Sequence, residues 1–207
     1  MSKSFAANPV IGSIFLNRLG LHAGRAAVAH AMAKVRWALL AWQVAPDLRK
    51  TFQAQGFVVV PDVLPEEEFN ALVSQVGSQQ ACEVRECIQG DTLTHRILLD
   101  DRALVQLSHV EKLLHHPLFE PLLTYCGANR KRPLHYVQSV KNGAVSGNHD
   151  LQKVLHSDTF HPTMKSWFFL DDVPLDKGPF TYVPMAHRPG RTRISLSGGT
   201  CRNGEPF

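Results

Sequence analysis

No stretch of the 207-residue sequence approaches the roughly 18 consecutive apolar residues that a membrane-spanning helix needs. The apolar stretch near the N-terminus, Val10 to Leu16, is interrupted by Gly12 and Ser13 and lacks a good cleavage site, so no secretory signal is expected. Cysteine is scarce. Cys82, Cys87, Cys126 and Cys201 form neither a CxxC pair nor a zinc-ligand spacing, which predicts reduced thiols in a cytoplasmic protein. Clustered basic charge is nearly missing as well. The net charge is +4, and only Arg130-Lys131-Arg132 makes a tight run. Nucleic-acid binders concentrate Lys and Arg on one element. This run is expected to be a solvated turn before a strand, and no nucleic-acid partner is expected. Internal repeats and low-complexity tracts are lacking too. What remains is an ordinary globular composition, 44% hydrophobic and 19% charged, over a length that suits one domain of moderate size.

Residues 22–44 read as a helix, because Val28, Met32, Val35, Leu39 and Trp42 recur at steps of four, three, four and three. Arg25, Lys34 and Arg36 lie off this stripe. The stripe is expected to pack onto the domain behind it. The alternative is a cationic amphipathic helix lying on an anionic membrane surface, the one place where membrane contact stays open. A short helix follows from Pro46-Asp47 to Gln55, with Gly56 as its C-cap. Phe57-Val58-Val59-Val60, bounded by Gly56 and Pro61, reads as a strand. Pro65 and Glu66-Glu67-Glu68 open the next helix, which runs to about Gln79.

From Cys82 to Leu99 the pattern suits two strands turning at Gln89-Gly90-Asp91. Residues 101–126 suit helix in two pieces broken at Pro117. Leu134 to Val140 reads as a strand, followed by a loop from Asn142 to Asn148. Lys153–Thr159, Ser166–Asp171 and Phe180–Val183 read as further strands. Helices first and strands later predict an α+β domain, a β-sandwich or barrel with helices packed on one side. The chain divides into an N-terminal helical extension, residues 1–45, and a domain, residues 46–207.

The chemistry is concentrated in Leu155-His156-Ser157-Asp158-Thr159-Phe160-His161-Pro162. On a strand, residues two apart face the same side, with Cα atoms roughly 6.5 to 7 Å apart. His156 and Asp158 then present an imidazole and a carboxylate to one ion. These are two of the three donors of the 2-His-1-carboxylate set, which holds non-haem Fe(II) and leaves positions open for substrates. Alone, such a pair is common by chance. Adding His161 gives His-x-Asp-x-x-His, a set that suits zinc if the chain turns before Pro162. The plainer role for His161 is a hydrogen-bonding loop residue.

The surroundings are more specific. After His156 come Trp167 in Ser166-Trp167-Phe168-Phe169-Leu170, then Asp171-Asp172-Val173, Lys177-Gly178-Pro179-Phe180, and Val183-Pro184-Met185-Ala186-His187-Arg188. Upstream stands Gln55-Gly56-Phe57-Val58-Val59-Val60-Pro61. Over about residues 47–190 this resembles the phytanoyl-CoA dioxygenase family. The family pattern is His-x-Asp, a tryptophan strand, an acidic turn with glycine and a Val-Pro-Gly-Ser-His-like turn. Here Met185-Ala186 stands in place of Gly-Ser.

The resemblance implies an α+β fold around a double-stranded β-helix, a jelly-roll or cupin-like core, with N-terminal and flanking helices. It implies Fe(II) bound by His156, Asp158 and a later histidine, with 2-oxoglutarate chelating the metal and paired to an arginine beyond that histidine. The reaction implied is O2-dependent hydroxylation of a small or lipid-like organic substrate. Trp167 takes the position where relatives place a tryptophan near the cosubstrate, the alternative being a core residue of the barrel wall. Asp158 argues against the halogenating branch, which needs the carboxylate's position vacant. His187, the sole histidine after His161, falls in the family's structural turn and is expected to shape it rather than to bind metal. The ligand histidine and the arginine come later in the family. With the sequence ending at Phe207, the β-helix is expected to be incomplete, the chain truncated and its own grip on iron weak. The competing expectation is a catalytically inactive relative that serves as a binding domain.

Overall fold

The computed structural model describes residues 8–78, 83–146, 150, 153–154 and 161–188. The N-terminal part is helical. α1 (Ile14–Arg18) starts at Ser13, whose hydroxyl accepts the Leu16 amide. α2 (Leu21–Leu40) has no proline and tightens into a 3-10 turn at Ala41–Gln43. α3 (Pro46–Gln55) opens on a proline, whose missing amide is no loss at the first position, and closes on Gly56 in the left-handed conformation, φ +87°. α4 (Glu66–Gly77) follows Pro65 and sets Glu66, Glu67 and Glu68 at the positive end of its dipole.

β1 (Val84–Gln89) and β2 (Thr92–Leu98) form an antiparallel hairpin whose register runs from Val84↔Ile97 to Gln89↔Thr92, leaving Gly90-Asp91 as the turn. Between β2 and the third strand lie α5 (Asp101–Gln106), α6 (Ser108–Leu114) and α7 (Phe119–Cys126). This helical stretch has three pieces, not the expected two. The added break falls at Leu107, which is fully buried (0% exposed), so bending there turns Ala103, Leu107, Val110 and Leu113 inward together. β3 (Tyr136–Lys141) pairs antiparallel with β2, giving the sheet order β1-β2-β3. Arg130, Lys131 and Arg132 are exposed just before it, as a solvated turn should be.

Two apolar clusters hold these elements. The first joins Leu40, Val44, Phe52, Tyr125 and Cys126, with Trp37 and Met164 against it. Its rings meet edge to face, Phe52 with Tyr125 at 5.8 Å and with Trp37 at 5.7 Å. Burial pushes the Cys126 thiol up to about 12, so it stays protonated. The second cluster gathers Leu72, Leu107, Val110 and Leu113, with Phe119, Phe168 and Leu170 against it.

Two expectations are corrected. The stripe Val28-Met32-Val35-Leu39-Trp42 does not pack on the domain; all five residues are exposed. α2 instead turns inward a second stripe, Ala33-Trp37-Leu40, continued by Val44. The buried stripe carries less bulk at its N-terminal end, where Ala33 is 2% exposed. Secondly, residues 57–60, 166–171 and 180–183 belong to no hydrogen-bonded ladder among the described residues; of the expected strand Lys153–Thr159 only Lys153 and Val154 are described, and neither is in a strand, while residues 155–159 lie outside the described residues. Phe168 and Leu170 face the second cluster and Trp167 and Phe169 face solvent, so period-two alternation is kept by packing alone. Among the described residues the fold is therefore mixed helix with one three-stranded antiparallel sheet. No helix among them is long and apolar enough to cross a membrane.

Candidate active site

The hairpin turn reaches across to the segment that leads into His156. The Asp91 carboxylate accepts the Asp150 amide at 3.1 Å and the Lys153 ammonium at 2.7 Å on both oxygens. The hydrogen bond from Lys153 holds the Asp91 carboxyl below the usual carboxylate range, helped by the Asp150 amide and by the charge of Lys153, against some burial. A lowered carboxyl contributes stability that is fully present above its unfolded value, about 3.9, and is lost as pH falls through the folded one. Nothing in this contact should therefore change between pH 6 and 8. Asp91→Asn is expected to speed amide exchange at Asp150 and Lys153 roughly tenfold at neutral pH, and the difference from wild type should shrink below about pH 4. Hydrogen exchange followed by NMR measures both.

His156 and Asp158 lie outside the described residues. His161, which follows them, sits exposed in a bend. Beyond it the chain is pinned at several points. Met164 enters the first cluster, and Phe168 meets Phe69 at 6.1 Å in the second. Between these anchors Trp167 turns outward, 46% exposed, and stacks on Phe180 with centroids 4.1 Å apart and planes 32° from parallel. The acidic turn is tied down as well, since the Asn142 side-chain amide donates to the Lys177 carbonyl at 3.2 Å.

The Val183–Arg188 turn docks on the end of α3. The Met185 amide donates to the Gln55 carbonyl at 2.7 Å, and the Arg188 guanidinium donates to the Gln53 carbonyl. The His187 ring lies 5.6 Å from Phe52 and 6.5 Å from Trp37, centroid to centroid, and Tyr182 meets Phe57 at 5.5 Å. These contacts make His187 a packing residue of the turn. Met185 takes φ +62°, the left-handed conformation, at the position where the motif resembled above carries glycine. The turn is kept and the side chain bears its cost. Because Met185 is 57% exposed, Met185→Gly should sacrifice little packing. A net gain of about 0.5–1 kcal/mol is expected after the entropy of a freer unfolded chain is subtracted. Urea denaturation measures it.

These anchored segments coincide with a family match. The family model for phytanoyl-CoA dioxygenase (PhyH) matches residues 52–198. The chain belongs to the phytanoyl-CoA dioxygenase family. The match takes in Gly56, the His156-x-Asp158 pair, Trp167 and the docked turn, and leaves α1 and α2 outside. Family membership makes this a dioxygenase-type oxidoreductase chain whose family uses O2 and small-molecule substrates. No match was found among curated proteins or among solved structures.

The donor chemistry of His156 and Asp158, one imidazole and one carboxylate, suits Fe(II). Among the described residues there is no group of three or more His, Cys, Asp or Glu able to hold a metal ion. The fit rests on the pair alone. Sequence reasoning missed the partners that support the site region, Asp91 with Lys153 and Phe180 beneath Trp167. Asp91 and Lys153 are 62 residues apart, and no periodic pattern links them.

Proposed function

We propose that this chain supplies the His-x-Asp part of a non-haem Fe(II)/2-oxoglutarate-dependent dioxygenase that hydroxylates a small or lipid-like organic substrate, the remaining metal ligand lying outside the described residues. The observation that carries this is the His156-x-Asp158 pair inside the family match, followed nine residues after Asp158 by an outward-facing tryptophan. In this reading His156 and Asp158 hold the metal from alternate positions of one extended segment of a double-stranded β-helix. Bound iron would supply the oxidation of a substrate C–H bond by O2, coupled to decarboxylation of 2-oxoglutarate. Trp167, backed by Phe180, would offer a flat apolar wall that excludes water and orients the cosubstrate or substrate. The Asp91–Lys153 contact would fix where the ligand segment begins.

The test is anaerobic addition of Fe(II) and 2-oxoglutarate to the protein expressed from its whole reading frame. A weak visible charge-transfer band is expected, together with substrate-independent, O2-dependent loss of 2-oxoglutarate. A protein that gives no band and retains no iron after reconstitution is a binding domain, and the oxygenase reading then fails.

A further inference from the structure

The excess positive charge of this protein lies in a segment outside the family match. Residues 1–46 contain five Lys and Arg (Lys3, Arg18, Arg25, Lys34 and Arg36) and no Asp or Glu, while all 18 acidic residues come later. On α2 the stripe Val28-Met32-Val35-Leu39-Trp42 faces solvent, Trp42 at 79% exposure. At about 100° per residue, Arg25 and Arg36 fall along one edge of this stripe and Lys34 beyond the other. The stripe is about 21 Å long at 1.5 Å per residue. Its first half forms an open apolar depression of about 500 Å³ lined by Leu21, Gly24, Arg25, Val28, Ala29 and Met32. α1, which packs on α2, adds exposed Ile14, Phe15 and Leu19 and the exposed Arg18. The opposite stripe of α2 is anchored in the first cluster, so the helix is held with its apolar side outward.

We propose that this face docks the protein on an anionic lipid bilayer. α2 lies in the plane of the headgroups, its stripe enters the acyl boundary, and the flanking cations meet lipid phosphates. Charge selects this occupant. A second copy docked through the same face would set acid-free cationic surfaces against each other, whereas an anionic headgroup layer neutralises them. Apolar burial and charge then act together, the two signals that reversible surface binding requires. The proposal is independent of the metal site. It places the domain at a surface where apolar substrates concentrate.

Cosedimentation with vesicles tests it, using phosphatidylcholine alone or with about one third phosphatidylglycerol. The chain should partition onto the anionic vesicles at about 0.05 M salt, and at least tenfold less at about 0.5 M salt, where screening is short-ranged, or on phosphatidylcholine alone. Leu39→Glu and the double variant Arg18→Glu/Lys34→Glu change exposed positions, so their circular dichroism should match wild type, and each should bind at least tenfold more weakly. Equal binding to both vesicle types, no binding to the anionic ones, or undiminished binding by Leu39→Glu overturns the proposal. So does a dimer in sedimentation velocity that Leu39→Glu dissolves, since that assigns the face to a second copy.

Discussion

His156→Ala is expected to weaken Fe(II) binding at least a hundredfold and to abolish O2-dependent consumption of 2-oxoglutarate, while leaving the fold unchanged. Loss even of a group that only orients a metal ligand costs roughly 10- to 100-fold in affinity. Removing a donor itself costs more, because the ion must replace a protein ligand with water. Asp158→Ala should act in the same way and remove the charge that offsets the dication. Ser157→Ala is the internal control, since alternate residues of an extended segment face opposite sides and Ser157 would point away from the ion. Iron content after anaerobic reconstitution and the charge-transfer band read binding, and 2-oxoglutarate decarboxylation reads turnover. Equal losses in all three variants would mean that the segment is not an alternating strand. Full activity in His156→Ala would remove the oxygenase reading altogether.

Much of the helical part of the fold was legible because its signals are local. Pro46 and Gly56 bracket α3, Pro65 and three glutamates open α4, and Gly90-Asp91 turns the hairpin. These residues act within one turn of chain, where sequence and structure are in direct correspondence. The face of α2 was not legible. Periodicity finds apolar stripes, and α2 carries two. The bulkier one drew the prediction, while Ala33, Trp37 and Leu40 meet the core. The segments around Val59, Phe168 and Tyr182 carry strand composition yet join no ladder among the described residues; around Phe168 alternate side chains, Phe168 and Leu170, lie on the second cluster instead. The left-handed residues Ala128 and Met185 carry a Cβ, so no glycine flags them. For the site, the His156-x-Asp158 motif is legible in the sequence but lies outside the described residues, and Trp167 is 46% exposed. Its stack on Phe180 and the Asp91–Lys153 tether depend on contacts between distant segments.

Gly56→Ala is expected to destabilise the domain by about 3 kcal/mol. Part of this comes from φ +87°, where a Cβ costs roughly 1–2 kcal/mol. The remainder is steric. A Cβ on Gly56 would stand 2.6 Å from the Tyr182 hydroxyl and closer still to His187 Nδ1. Neither ring is free to retreat, because His187 is packed on Phe52 and Trp37 and Tyr182 on Phe57. The turn must therefore lift from α3, loosening the Met185-to-Gln55 hydrogen bond and opening the first cluster at its rim. Gly24→Ala provides the contrast. Gly24 lies within α2 with nothing within 4 Å of its would-be Cβ, so alanine there should add about 0.5–1 kcal/mol through helix propensity. Urea denaturation of the two variants should thus move the midpoint in opposite directions. A Gly56→Ala midpoint equal to wild type would mean that the Val183–Arg188 turn does not rest on α3. The anchoring of everything between Met164 and Arg188 would then have to be sought elsewhere.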